Sequence, residues 1–208
     1  MNEELRKKVG TDFPPLLKER GRGEVPGTIN QTIPLIVLEI YNTPLMRKYI
    51  LDASTTEKKL KRMAYEIVEN NIDEKEIILA GIRVSGSVVA KNIQKLLASI
   101  STIKTELITI ELDKKQPREV TLSKQMDFTG RVIVVIDDVA NSGKTMLYAL
   151  KPFLQFHPKK IQTLALVERT HKTFPVSTDF SGLSVATTLQ EHIYVEVEGD
   201  VVKGAYLE

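Results

Sequence analysis

The sequence predicts an α/β protein built around a central parallel, twisted sheet flanked by helices, and three observations carry that reading. Apolar runs rich in β-branched residues recur: "EIILAGI" (76–82), "RVIVVID" (131–137) and "IQTLALVE" (161–168). Runs of this kind, without polar alternation, mark strands buried on both faces. Stretches of helical periodicity lie between them, and strand–helix alternation implies parallel pairing through right-handed crossovers. The length, 208 residues with 42% apolar and 27% charged content, allows one full domain with a sizeable core.

The elements follow in order. Five of the nine prolines and four of the eleven glycines fall in the first 44 residues, and "VGTDFPPLLKERGRGEVPGTINQTIP" has neither helical nor strand period. Residues 1–45 are therefore expected to be a disordered extension outside the domain, which spans 46–208, with Met46 a candidate start of translation. "STTEKKLKRMAYEIVEN" places Ser54 and Glu57 in capping-box spacing, and Leu60, Met63, Ala64, Ile67 and Val68 form one helical stripe. "SVVAKNIQKLLASI" reads as the next helix, "ELITIEL" (106–112) as a strand and "EVTLS" (119–123) as its hairpin return. A helix over about 143–155 carries Met146, Leu147, Leu150, Phe153 and Leu154. Beyond residue 170, "LSVATTL", "HIYVEV" and "VVKGAYL" predict a small β-rich hood.

Composition narrows the chemistry. Without cysteine the chain has no disulfide, no thiolate zinc site and no cysteine nucleophile. His157, His171 and His192 lack metal-ligand spacing, and His171 reads as a structural histidine. A net charge of +2 announces no global basic field. Residues 1–10 are charged and lack the apolar core of a signal peptide, and "IPLIVLEIY" is too short to span a bilayer. The expectation is a cytoplasmic protein with no membrane partner.

The stretch "VVIDDVANSGKT" (134–145) concentrates the functional signal. Gly143-Lys144-Thr145 matches the end of a nucleotide-binding P-loop, yet the glycine that motif needs five positions earlier is Asp138. A P-loop phosphotransferase is thereby disfavoured. A strand that ends in Asp137 and Asp138, followed by a loop from Ala140 through Asn141, Ser142, Gly143 and Lys144 to Thr145, places the whole set at the carboxyl end of a central strand. Open α/β sheets bind ligands there. Loop amides, the hydroxyls of Ser142 and Thr145 and the Lys144 ammonium suit a phosphate. Two carboxylates repel a bare phosphate but accept hydrogen bonds from vicinal hydroxyls and can seat a metal directly or through water. The pattern asks for a phosphorylated ribose.

This stretch resembles the phosphoribosyl pyrophosphate (PRPP) signature of the type I phosphoribosyltransferases. The likeness extends over roughly 48–208, through "YILDASTTEKKLKRMAYEIVENN", "EIILAGIRVSGSVVAKNI", "LALVERTHKTFPVSTDF" and "VEVEGDVVKGAYLE", and is greatest to the PyrR type, the bifunctional pyrimidine operon attenuator and uracil phosphoribosyltransferase. The resemblance implies a fold with a hood and transfer of 5-phosphoribosyl from PRPP to a nucleobase, uracil foremost, with release of pyrophosphate. It implies Mg²⁺ held by Asp137 and Asp138, with Arg83 beside them in catalysis. Arg83, Val84, Ser85 and Gly86 correspond to the pyrophosphate loop, where a cis peptide is expected at Val84–Ser85. Lys114, Lys115 and Arg118 stand where the family has a longer mobile flap, and Ser85 stands where it usually has an arginine. Arg169, Asp179 and Phe180 fall in the hood segment over the base. Asn141 replaces an aspartate usual in purine-specific relatives, and an asparagine cannot act as a base. A homodimer or higher homo-oligomer is expected. RNA stays open as a partner, with a nucleotide-sensing RNA-binding regulator as the alternative function.

Overall fold

The computed structural model describes residues 47–187 and 191–208. The expectations for residues 1–45 and Met46 lie outside them. Strand β1 (Lys48–Leu51) leads into helix α1 (Ala53–Asn70), then β2 (Glu76–Ile82), α2 (Ser85–Ile100), β3 (Lys104–Leu112) and β4 (Val120–Leu122). After β5 (Val132–Ala140) come α3 (Lys144–Ala149), a 3-10 turn (Lys151–Phe153), β6 (Lys160–Arg169), β7 (Phe180–Val185), β8 (Ile193–Glu198) and β9 (Val201–Leu207).

Six strands form the main sheet in the order β4-β3-β2-β5-β6-β7. All neighbours pair in parallel except β3 and β4, the hairpin return that the sequence predicts. Alternate residues feed two cores. Ile77 and Leu79 of β2, with Val132, Val134 and Ile136 of β5, face the stripes of α1 and α2. Ile78, Ala80 and Ile82, with Ile133 and Val135, face the opposite side. There Phe128 meets Phe153 and Phe156 edge-on at centroid distances of 4.9 and 5.3 Å. Burial on both faces explains the unbroken apolar runs. Met63 and Met146 lie in these cores, as their periodicity predicts.

Four differences from the sequence reading have physical causes. The helix expected to 155 stops at Ala149, because Pro152 has no N–H to continue the ladder and the chain tightens into the 3-10 turn. The segment at 180–185 is no part of the hood; as β7 it pairs in parallel with β6. The hood is a three-stranded antiparallel sheet of order β1-β9-β8, so it recruits a strand from the start of the domain. At α1, the N-cap is Asp52, two residues before Ser54, with its Oδ1 accepting from the Thr55 amide at 2.6 Å. Asp52 has the extended backbone a cap needs, whereas Ser54 and Glu57 already lie inside the helix.

The Asp52 carboxylate is held below the ordinary aspartate value, first by the hydrogen bond from the Thr55 backbone and then by the Thr55 side chain. A depressed folded-state value contributes stability that is present above the unfolded value of 3.8 and is lost as pH falls through the folded one. Asp52→Ala is expected to melt below the parent protein at pH 7, and the gap should narrow as the pH drops below 3.8. Thermal melts across that range check this.

Candidate active site

The parallel register brings the carboxyl ends of four strands together. Gly81 of β2 lies opposite Ile136 of β5, Ile82 opposite Ile110 of β3, and Ala140 opposite Glu168 of β6. The loops that follow therefore converge on one edge of the sheet. Strand β5 runs three residues beyond the expected end at residue 137, so the acidic pair belongs to the strand. Successive strand residues point to opposite faces, yet both carboxylates reach the same ammonium, that of Lys114. Its Nζ lies 3.0 Å from Asp137 Oδ1 and 3.1 Å from Asp138 Oδ1.

The two aspartates differ in environment. Asp137 is 1% exposed. Burial, with the Asp138 charge next in effect, raises its carboxyl well above the usual value, while Lys114 opposes the shift. Asp138 keeps 14% of its side chain exposed. Burial works to raise it too, but hydrogen bonding with Asp137 and the Lys114 ammonium carry it below the ordinary value. Asp137 thus holds a proton to higher pH than Asp138. Burial lowers the Lys114 ammonium, and the two aspartates more than offset this, leaving it above the ordinary lysine value.

Asp137, Asp138, Val139, all six residues from Ala140 to Thr145, and Lys114 line one cavity of about 320 Å³, with Ile193 of the hood at its wall. Gly143 is fixed by two constraints: its φ is 83°, and a Cβ there would lie 3.0 Å from the carbonyl oxygens of Phe174 and Val176. The connection between β6 and β7 clamps this loop. The Thr173 and Phe174 amides donate to the Ser142 carbonyl at 3.1 and 3.0 Å. Lys172 Nζ donates to the Ala140 carbonyl at 2.8 Å and pairs with Glu168 at 3.1 Å. Helix α3 has only six residues, so its dipole is small, and the groups here that suit an anion are the loop amides, the hydroxyls and Lys144.

The segment 83–86 reaches the same edge from β2. A Cβ on Gly86 would meet the Ile136 carbonyl oxygen at 2.9 Å and Asp137 Cα at 3.0 Å, so the start of α2 lies directly against the acidic strand end. A non-proline cis peptide is present, but at Arg83–Val84, one bond before the expected Val84–Ser85. The Arg83 side chain is 61% exposed, with its guanidinium 3.3 Å from Glu111 Oε1. It lines a neighbouring cavity with Arg118 and Asp113, separate from that of the two aspartates. Ser85 is the first residue of α2, and Val84 beside it is exposed.

Of the three flap candidates, Lys114 enters the site by its side chain and Lys115 by its backbone, whose carbonyl accepts from Lys144 Nζ at 3.2 Å. Arg118 lies with Arg83, and its carbonyl accepts from Lys151. Among the hood candidates, Arg169 lines a cavity of about 540 Å³ with Asn141, Ser142, Thr170, His171, Thr173, Ala186 and Thr187. Asp179 and Phe180 do not. The Asp179 carboxylate accepts from the Thr163 amide and hydroxyl at 2.7 and 2.9 Å, and Phe180 is buried in the main core. His171, read from the sequence as structural, also lines that cavity. Lys172 was missed, although its i,i+4 spacing to Glu168 was a signal available in the sequence.

Among the described residues, no group of three or more histidine, aspartate or glutamate side chains is placed to hold a metal. The acidic pair does fit a cation, since it already binds the ammonium of Lys114 through both side chains. A magnesium ion there takes at most two carboxylates, and water or ligand must complete its octahedron.

Comparison with known proteins decides the family. Residues 46–198 match the phosphoribosyl transferase domain family. The chain belongs to the phosphoribosyltransferase family. It is an enzyme of pentosyl transfer and is similar to the PyrR type. It is 30% identical over 158 residues to the pyrimidine operon regulatory protein of Lactococcus lactis subsp. lactis, covering 74% of this chain and 91% of that one. To the bifunctional protein PyrR of Staphylococcus carnosus it is 32% identical over 164 residues, covering 74% and 94%. In fold it is similar to a hypoxanthine-guanine phosphoribosyltransferase from Bacillus anthracis, with TM-score 0.62, 15% identity and coverage of 76% and 97%. The hypoxanthine phosphoribosyltransferase of Trypanosoma cruzi gives TM-score 0.60 at 12% identity, covering 66% and 81%. No helix among the described residues is long and apolar enough to cross a membrane.

Since a Cβ on Gly86 would strike backbone atoms, which cannot swing aside, Gly86→Ala must push α2 away from Asp137. A stability loss of roughly 1–3 kcal/mol is expected, as for other overpacked sites. Thermal stabilisation by ribose 5-phosphate should fall as well, and melts with and without that ligand measure both effects.

Proposed function

We propose that this protein transfers 5-phosphoribosyl from PRPP to uracil and releases pyrophosphate. The observation that supports this most is the shared cavity: two carboxylates on one wall and the complete 140–145 loop on another, a match for ribose hydroxyls and a 5-phosphate. In this reading the loop amides, Ser142, Lys144 and Thr145 bind the phosphate. Asp137 and Asp138 accept from the ribose hydroxyls, and the segment from Arg83 to Gly86 faces the pyrophosphate. As the bond from the anomeric carbon to pyrophosphate breaks, positive charge develops on the sugar. A carboxylate whose hydrogen bonds strengthen at that moment lowers the barrier. Magnesium, when bound with PRPP at the acidic pair, supplies charge neutralisation for the leaving group.

The cavity of about 540 Å³ beside the loop is the base site in this reading, with Asn141 and Ser142 shared between the two regions. Uracil N1 attacks the anomeric carbon as the bond to pyrophosphate breaks, and the N1 proton passes to the departing pyrophosphate or to water. Asn141 supports a pyrimidine, because its amide can donate and accept hydrogen bonds but cannot take the proton that an aspartate takes from a purine. The names of the relatives, a pyrimidine operon regulatory protein and bifunctional PyrR, support the same base. They also favour a second reading, an RNA-binding regulator that senses nucleotides, for which the exposed Lys58, Lys61, Arg62 and Tyr65 of α1 give a short basic and aromatic face. Binding of a single-stranded RNA that weakens steeply with salt would support it.

Incubation with PRPP, Mg²⁺ and a panel of free bases, read by pyrophosphate release, tests the main reading. Release is expected with uracil and not with hypoxanthine or guanine. Asp138→Asn is expected to keep the fold and to lose about 1.5–3 kcal/mol of PRPP binding, the worth of a hydrogen bond to a charged group. Turnover should fall further, and unchanged PRPP affinity in that variant would contradict the role given to the pair.

A further inference from the structure

We propose that Lys114 is a latch on the acidic pair: its ammonium occupies Asp137 and Asp138 and must leave before sugar hydroxyls or a divalent cation can take the two carboxylates. The inference rests on the reading that this pair receives the ligand.

Three observations point to a latch rather than a permanent counter-ion. The Lys114 side chain remains 44% exposed, although one of its partners is almost fully buried. It extends from the turn between β3 and β4, so it can swing without disturbing a strand. The turn itself is pinned by two further contacts. Asp113 Oδ1 accepts from the Lys115 amide at 2.8 Å, and the Lys115 carbonyl accepts from Lys144 Nζ at 3.2 Å.

The last contact links the two halves of the site. Lys144 is the cation of the 140–145 loop, and its ammonium is spent on the turn that carries Lys114. A phosphate entering the loop competes for Lys144 and removes one pin from the turn. Ribose hydroxyls or a metal entering at the aspartates compete for the place of Lys114. The two exchanges favour each other, and each released ammonium is then available to the anionic ligand. The charge balance has a direct consequence for metal binding. Whatever proton Asp137 holds, an ammonium between the two carboxylates makes the pair one unit less negative, so a divalent cation meets a weakened site while the latch is closed.

Binding of Mn²⁺ to the ligand-free protein tests this, read as free Mn²⁺ by electron paramagnetic resonance. Lys114→Gln is expected to bind Mn²⁺ at least about tenfold more tightly than the parent. Lys95→Gln, the same charge change on α2 away from the pair, should bind like the parent. Without metal, Lys114→Gln should melt lower, because a buried carboxylate has lost its partner, and saturating Mn²⁺ should restore the melting temperature. Asp113→Ala, which unpins the turn and leaves the pair and its ammonium intact, should tighten Mn²⁺ binding by a smaller factor and keeps the test open if Lys114→Gln fails to fold. Equal or weaker Mn²⁺ binding in Lys114→Gln, or unchanged binding in Asp113→Ala where the first variant does not fold, overturns the latch. No PRPP enters the measurement. A protein that passes it and yet fails to bind PRPP keeps the latch and loses the proposed substrate, whereas one that binds PRPP but fails it loses only the latch.

Discussion

A carboxylate buried next to a second carboxylate is the constraint on which the rest of this site depends. Asp137 ends up in that position because β5 continues past its apolar run and carries the acidic pair into the sheet. Burial and the neighbouring charge both penalise ionisation there. The protein offsets the penalty locally: the Asp138 amide donates to Asp137 Oδ1 at 3.0 Å, and Lys114 supplies a positive charge to both side chains. What remains is a strand end that favours any cation or donor able to reach it, and in the proposed reading that partner is a sugar with two hydroxyls and a developing positive charge.

The neighbouring loops follow from the same constraint. Gly86 has no side chain because the start of α2 closes against the acidic strand end, and Gly143 has none because the β6–β7 connection at 173–176 presses on the 140–145 loop. Around these contacts stand three lysines with different tasks. Lys172 ties the loop backbone to β6 through the Ala140 carbonyl and Glu168. Lys144 reaches the turn after β3, and Lys114 reaches back to the aspartates. Lys172 joins the loop to β6, whereas Lys114 and Lys144 are held by contacts that a ligand at the site can replace.

Much of this was legible in the sequence, for identifiable reasons. Strand β2 has the bounds read from its apolar run, because a strand buried on both faces leaves no polar residue to blur its ends. The acidic pair and the loop were legible because their order, strand then carboxylates then Gly-Lys-Thr, allows few other uses. The hood was harder. Its strands pair across the length of the chain, Lys48 with Leu207, and no local pattern encodes that pairing. Phe180 and Asp179 sat in a stretch that aligned with a base pocket, yet the parallel addition of β7 carried one into the core and the other onto Thr163. His171 and Lys172 take their places from the fold of the loop after β6, which periodicity does not report.

The central claim is that the strand-end aspartates and the 140–145 loop form one site for a phosphorylated ribose. Amide chemical-shift mapping of the isotopically labelled protein titrated with ribose 5-phosphate tests it most directly. The account predicts saturable shifts at Asp137, Asp138 and the amides from Ala140 to Thr145, with the turn at Lys114 and Lys115 moving in the same concentration range. Saturable shifts confined instead to the groove lined by Val120, Met126, Phe128 and Phe156, with the acidic pair and its loop unmoved, would contradict it.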